Sequence, residues 1–179
     1  MKRAHVFWFT GLSGAGKTTV AEGVAALLSE RGVTVAILDG DDVRARFHTH
    51  LGFSEADIKE NNRLIGLLCQ EQRGDADVIL VPVIAPYRSA RQSARDTLSP
   101  DFHEVHFSAS VDTVAARDVK GMYRAARDGK ITNLIGFSPS APYEPPEHAD
   151  FTIDSGSEPV SDSVGRLFRH VLGVLGQPC

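Results

Sequence analysis

Apolar residues gather in short unbroken runs, separated by longer stretches in which they recur every three or four positions. HVFWFT, residues 5–10, is such a run of bulky and β-branched types and ends at a glycine-rich stretch. AEGVAALLSERG, residues 21–32, repeats its apolar residues at helical spacing and stops at a glycine. The pattern predicts strand, loop, helix. TVAILDG (34–40), DVILVPVIAP (77–86) and EVHFSA (104–109) read as further strands, with ADFTID (149–154) as a shorter one, and helical stretches lie between them. Strands that are apolar throughout are buried on both faces, and their alternation with helices predicts an α/β fold: a parallel sheet covered by helices on both faces. Right-handed crossovers then bring the segments after Thr10, Leu38, Ile84 and Ser108 to one edge of the sheet, where function is to be sought. No internal repeat or low-complexity tract interrupts the pattern. PSAPYEPPEH (139–148) is Pro-rich and reads as an ordered loop or lid edge, so residues 1–179 are expected to form a single domain.

Composition changes this picture little. The 179 residues are 42% hydrophobic and 23% charged, which suits a globular domain with a sizeable core. A formal charge of −4 without a basic block favours neither duplex nucleic acid nor an anionic membrane, and leaves a small anionic ligand as the expected partner. Two cysteines, Cys69 and Cys179, make no disulfide framework, and Cys69 in LIGLLCQEQ is expected to be a buried thiol. No apolar segment is long enough to span a bilayer, and MKRAHVFWFTG enters the first strand without a cleavage site, so a cytoplasmic location is expected.

The chemistry starts at GLSGAGKTT. Gly11, Gly16, Lys17 and Thr18 satisfy G-x-x-x-x-G-K-[ST] between a strand and a helix, the context that motif requires. From average composition, an accidental match arises in roughly one such chain in a hundred or fewer. Glycines let backbone N–H groups turn inward on an anion, and the following helix adds its positive end. Gly11, Ser13, Gly14, Ala15, Gly16, Lys17, Thr18 and Thr19 are therefore the candidate ATP-binding residues. Lys17 is assigned to the β and γ phosphates and the Thr18 hydroxyl to magnesium.

What is done with the phosphate depends on the neighbouring loops. A regulatory GTPase needs a guanine-reading N-K-x-D, which is absent, and the third strand ends in Pro and Ala where a switch region would usually open with Asp. The acidic group instead follows the second strand, as LDGDD, with Asp39, Asp41 and Asp42 near Arg44. Carboxylates there suit a small-molecule kinase, in which they hold magnesium waters or orient the acceptor hydroxyl. The plainer reading, a helix N-cap with an acidic first turn, also fits Asp41 and Asp42.

With GLSGAGKTT, LDGDDVR, LGFSEADIKENNR, IAPYRSAR and RDVKGMYRAARDGKI in that order, the sequence resembles the adenylylsulfate kinase family from about Val6 to Glu144. That family phosphorylates the 3′ hydroxyl of adenosine 5′-phosphosulfate (APS). The resemblance implies a phosphate-loop nucleoside triphosphate kinase fold, ATP and Mg2+ as cosubstrates, and a homodimer. It implies that Asp39 and Asp41 act with Lys17 in catalysis, Asp41 serving the acceptor hydroxyl and the magnesium shell. Arg44, Phe53, Asn61, Ile84, Ala85 and Lys120 fall to the acceptor: Arg44 gripping the nucleotide, Phe53 stacking on adenine and Asn61 meeting the phosphosulfate region. Ile84 and the Ala85 backbone would pass beside it, and Lys120 would reach it from a lid around 117–145. Arg117, with Arg124 and Arg127, would close that lid over ATP. A fork of guanidinium donors on phosphate and an aromatic face on a base give Arg44 and Phe53 independent chemical reasons.

Two departures concern the acceptor. Ile58 stands where the family pattern has an arginine, and Leu134 stands where it has an aromatic, with Phe137 nearby. Leu64 replaces the second of an arginine pair, and Ala85 a serine. If APS is the acceptor, another cation such as Arg63, Arg88 or Arg91 is expected at the place Ile58 vacates. Three activities remain open: an APS kinase with a variant acceptor pocket, a related kinase for another hydroxyl compound, and a nucleotide-binding regulator without turnover. His48 and His50 lack an evident third ligand and are expected to be exposed polar residues.

Overall fold

The computed structural model describes residues 3–178; Met1, Lys2 and Cys179 lie outside the described residues. Five parallel strands form one sheet in the order β2-β3-β1-β4-β5. They are β1 (His5–Thr10), β2 (Val35–Ile37), β3 (Val78–Val81), β4 (Phe102–Phe107) and β5 (Phe151–Ile153). Between and after them come α1 (Lys17–Glu30), α2 (Gly40–Phe47), α3 (Glu55–Gln72), α4 (Arg88–Leu98), α5 (Val111–Arg117), α6 (Met122–Arg127) and α7 (Val160–Val174). Every strand expected from the apolar runs is present.

β1 is the centre, with Phe7 opposite Leu80 of β3 and His103 of β4. Because side chains alternate along a strand, its residues divide between two cores. Phe7 and Phe9 pack with Val20, Val24 and Leu28 of α1 and Leu167 and Val171 of α7. Val6 and Trp8 pack with Ile65 and Cys69 of α3 and Ala94 and Leu98 of α4. Cys69 is buried as expected, and burial pushes its thiol up to about 12, so it stays protonated and unreactive. A capping box starts α3, with Ser54 accepting from the Asp57 N–H and Asp57 returning to the Ser54 N–H.

The strand ends converge at one edge. The Gly11 N–H donates to Ile84 O, Leu38 N–H to Leu80 O and Gly40 N–H to Pro82 O, which ties the segments after β1, β2 and β3 together. Arg91 of α4 is 3% exposed: its guanidinium pairs with Glu104 and donates to Ala85 O and Glu144 O, at 2.7 and 2.8 Å. Arg91 therefore turns inward from α4 and is no part of a solvated face. A buried charge needs a full set of partners, and this one has them.

The opposite edge holds a histidine pair. His5 Nδ1 and His103 Nε2 are 3.1 Å apart, His103 stacks on Phe7, and His170, Asp150 and Arg95 are its other charged or titratable neighbours. Burial first, and then the His5 charge, push His103 down to about 4. A histidine kept neutral by the fold stabilises it fully above its ordinary pKa near 6.5, and that contribution is lost as pH falls from there toward 4. The melting temperature of wild type is thus expected to fall more steeply than that of His103→Gln between pH 6.5 and 4. Parallel curves would show that the pair does not set acid stability.

Candidate active site

The loop 11–16 leaves β1 and enters α1. A Cβ on Gly11 would stand 2.8 Å from Phe107 O, so only glycine lets the loop turn against β4. Gly16 has φ 86°, a left-handed conformation, and caps α1 without a side-chain bond. The first turn of α1 has no acidic residue, which leaves its N–H groups and positive end directed at the loop. Lys17 is buried and donates to Gly11 O and Leu12 O at 2.8 and 2.7 Å. Ala15 is buried, while Thr18 and Thr19 are exposed. Ser13 is held from behind: the Tyr123 hydroxyl donates to its carbonyl at 2.9 Å.

The acidic loop closes on this one. Asp39 caps α2 by accepting from the Asp41 N–H through Oδ1, and its Oδ2 accepts from the Thr18 hydroxyl at 2.7 Å. The capping role open for Asp41 and Asp42 belongs to Asp39, and Asp41 and Asp42 supply the acidic first turn. Asp41 stays exposed and pairs with Lys120 at 2.6 Å, so the segment after α5 reaches across to α2. These groups line one cavity of about 610 Å³, with Val43 and Phe47 as its apolar side. The Thr18 hydroxyl and Asp39 offer hard oxygen donors, which fit magnesium. Among the described residues no group of three or more His, Cys, Asp or Glu is poised for a metal.

Of the acceptor candidates, Asp41 and Lys120 line this cavity, while Arg44, Phe53, Asn61, Ile84 and Ala85 stand outside its lining. Arg44 donates to Leu51 O and Gly52 O and lies 4.8 Å over the Phe53 ring, which is 63% exposed. A ring so exposed is not a core residue, and its outward surface is open to stacking. Asn61 of α3 is buried and bonded to His48. The Thr10 hydroxyl donates to Ile84 O at 2.8 Å, and Ala85 adopts φ 44°, a strained value for alanine, under the hold of Arg91.

Several expectations are corrected. Arg117 donates to Ser155 O and Gly156 O, joining α5 to the turn after β5 and leaving its guanidinium occupied there. Arg63 pairs with Glu60, Arg88 with Glu147, and Arg91 with Glu104. None of the three is committed to Ile58, which is 6% exposed in an apolar cluster with Tyr87, Ala90 and Ile135. Leu134 is 3% exposed inside the core, while Phe137 packs edge-on against Tyr123. His48, expected to be exposed, is buried. Sequence reasoning also missed Tyr123, Tyr143 and Glu144: Tyr143 shares a hydrogen bond with Thr10, and Glu144 accepts from the Arg88 N–H. Only their place in motifs beside the lid could have marked them, because none has a telling spacing.

A parallel sheet with a glycine-rich loop, a buried lysine and carboxylates on the next loop defines a phosphate-loop kinase. Residues 3–154 match the adenylylsulphate kinase family. The chain is 42% identical over 168 residues to the adenylyl-sulfate kinase of Synechococcus sp. (strain JA-3-3Ab), covering 94% of each. It is 42% identical over 164 residues to that of Halothermothrix orenii, covering 92% of this chain and 87% of that one. The structure of the Mycobacterium tuberculosis APS kinase in complex with AMPPNP and APS superposes with a TM-score of 0.89 at 32% identity, covering 96% of this chain and 99% of that one. The chain belongs to the adenylylsulphate kinase family. Among the described residues, no helix is long and apolar enough to cross a membrane.

Proposed function

We infer that the protein transfers the γ-phosphoryl group of ATP to the 3′ hydroxyl of APS. One observation carries the assignment of roles: the Thr18–Asp39 bond and the Asp41–Lys120 pair line a single cavity at the sheet edge, and Lys17 precedes Thr18 in the first turn of α1. The phosphate loop holds the triphosphate through backbone N–H groups, and Lys17 exchanges its two loop carbonyls for phosphate oxygens. Thr18 and Asp39 would hold magnesium, directly or through water, and the ion would neutralise charge on the β and γ phosphates. Asp41 accepts the proton of the acceptor hydroxyl and orients it in line with the γ-phosphorus. Arg44, Phe53 and Asn61 hold the acceptor, the Ile84–Ala85 turn passes beside it, and Lys120 closes the lid of 117–145 onto it. Arg117 acts on the ATP side indirectly, by fixing the turn at Ser155 and Gly156. The homodimer is a part of this proposal carried by the family resemblance, magnesium is carried by that resemblance together with Thr18 of the phosphate loop, and the single-domain reading by the length and uninterrupted pattern of the chain.

A second reading has one observation in its favour. Ile58 lies in an apolar cluster and Arg63, Arg88 and Arg91 are paired elsewhere, so an acceptor with a less anionic 5′ group would fit that side better. A charge-assisted contact to phosphate is worth about 1.5 to 3 kcal/mol, or roughly one to two powers of ten in binding. ADP release measured with APS, adenosine 5′-phosphate and uncharged 5′ analogues separates the readings. A kcat/KM for APS at least about 10-fold above the others is expected. The reverse order would overturn APS as the acceptor.

A further inference from the structure

Two consecutive residues of α6 meet the phosphate loop at one place. The Tyr123 hydroxyl donates to Ser13 O at 2.9 Å, and the Ser13 hydroxyl donates to Met122 Sδ at 3.6 Å. Tyr123 is 2% exposed, and its ring stands edge-on to Phe137, 5.8 Å away. Its backbone is held as well, because the N–H groups of Tyr123 and Arg124 both donate to the Asp118 carboxylate at 3.0 Å. Burial first, and then the Asp118 charge, push the hydroxyl up to about 12, so it keeps its proton and donates at neutral pH.

The bond to Ser13 O fixes an N–H as well as a carbonyl. The peptide joining Ser13 to Gly14 is planar and trans, so its C=O and N–H point in opposite directions. With Ser13 O turned back toward α6, the Gly14 N–H is turned away from α6. Among the described residues no backbone carbonyl accepts from it, whereas the next N–H, that of Ala15, is occupied by Leu12 O at 3.2 Å. Gly14, at φ 80°, offers little steric resistance of its own to a flip of this peptide. A flipped peptide would offer a lone pair where a loop that binds phosphate through its N–H groups needs a donor.

We propose that Tyr123 is a positioning residue for ATP: by holding Ser13 O from behind, its hydroxyl keeps the Gly14 N–H directed at the triphosphate. The proposal rests on the reading of the phosphate loop as the triphosphate site. Tyr123 does not touch the nucleotide, and its effect passes through the Ser13–Gly14 peptide alone.

Binding of inorganic tripolyphosphate, together with steady-state kinetics, tests this. Tripolyphosphate brings the phosphates to the loop without a base or a ribose. Tyr123→Phe removes one oxygen and leaves the ring beside Phe137. It is expected to raise KM for ATP and Kd for tripolyphosphate by a common factor of about 10, with KM for APS within about two-fold of wild type. In wild type the amide-proton resonance of Gly14 is expected to move downfield as tripolyphosphate binds, and to move less in Tyr123→Phe. Lys17→Ala, which acts on the loop directly, is expected to weaken tripolyphosphate binding in either background. Weakening by Lys17→Ala with none by Tyr123→Phe would overturn the proposal and leave the triphosphate reading standing. No weakening by Lys17→Ala would overturn both. A Gly14 resonance that stays in place in wild type would overturn the proposal even if Tyr123→Phe did not fold. Equal losses for ATP and APS, or a lower melting temperature with unchanged tripolyphosphate binding, would reduce Tyr123 to a packing residue and also overturn it.

Discussion

Lys17→Ala is expected to lower turnover by about 10³-fold or more while the far-ultraviolet circular dichroism stays that of wild type. The magnitude follows from removing a preorganised donor aimed at charge that builds on the transferring phosphoryl group. Near-normal turnover in a folded variant would sink the assignment. The same residue gives a second readout. Burial first, and then the Lys120 charge, lower Lys17 to about 7, against the smaller pull of Asp41 and Asp39 in the other direction. At pH 8 the free lysine is therefore mostly neutral. A bound triphosphate supplies negative charge and raises its pKa above the ambient pH, so the lysine gains a proton. Calorimetry of ATP binding at pH 8, in two buffers of different ionisation enthalpy, is expected to show uptake approaching one proton by wild type and none by Lys17→Ala. Equal uptake by the two would place the titrating group elsewhere.

The fold was legible because its signal is local. VILV is buried along its whole length, and its shortness, its β-branched residues and the Pro82 that follows mark it as a strand of a covered parallel sheet. The phosphate loop was legible for a related reason: glycine at 11 and 16 answers a backbone need, a close approach to Phe107 and a left-handed φ, and such needs leave a residue-type signature in the sequence.

Much of the site's support left no such signature. Nothing in the spacing of Arg88, Arg91 and Arg95 along α4 tells which of them turns inward. That is decided by Glu104 on β4 and by the carbonyls of Ala85 and Glu144, 6 and 53 residues away in sequence. His48 was misread for the same reason. A histidine in a polar stretch reads as exposed, and only the fold of the α2–α3 turn delivers it to Asn61. The roles of Arg44, Phe53 and Lys120 came from resemblance, and the geometry adds what each does when α2 and the lid meet: Arg44 shapes the loop that carries Phe53, and Lys120 latches onto Asp41.

That latch gives Asp41 two possible duties, holding Lys120 and serving the acceptor hydroxyl, and they predict different results. Asp41→Asn keeps the shape of the side chain and removes its charge. If Asp41 takes the hydroxyl proton and orients the nucleophile, turnover at saturating ATP, APS and magnesium is expected to fall about 10²- to 10³-fold, the range of a positioned base. ATP binding without magnesium should change little, because the phosphate loop and Lys17 are untouched. Lys120→Ala removes the latch and leaves the carboxylate in place. It is expected to raise KM for APS while turnover falls about 10-fold or less, since the salt bridge is exposed on both sides and holds the lid only weakly. Equal turnover of Asp41→Asn and wild type would rule out the catalytic role. Equal losses in Asp41→Asn and Lys120→Ala would assign the whole effect to the latch, and the base would then have to be sought at Asp39, whose carboxylate is already shared between Thr18 and the start of α2.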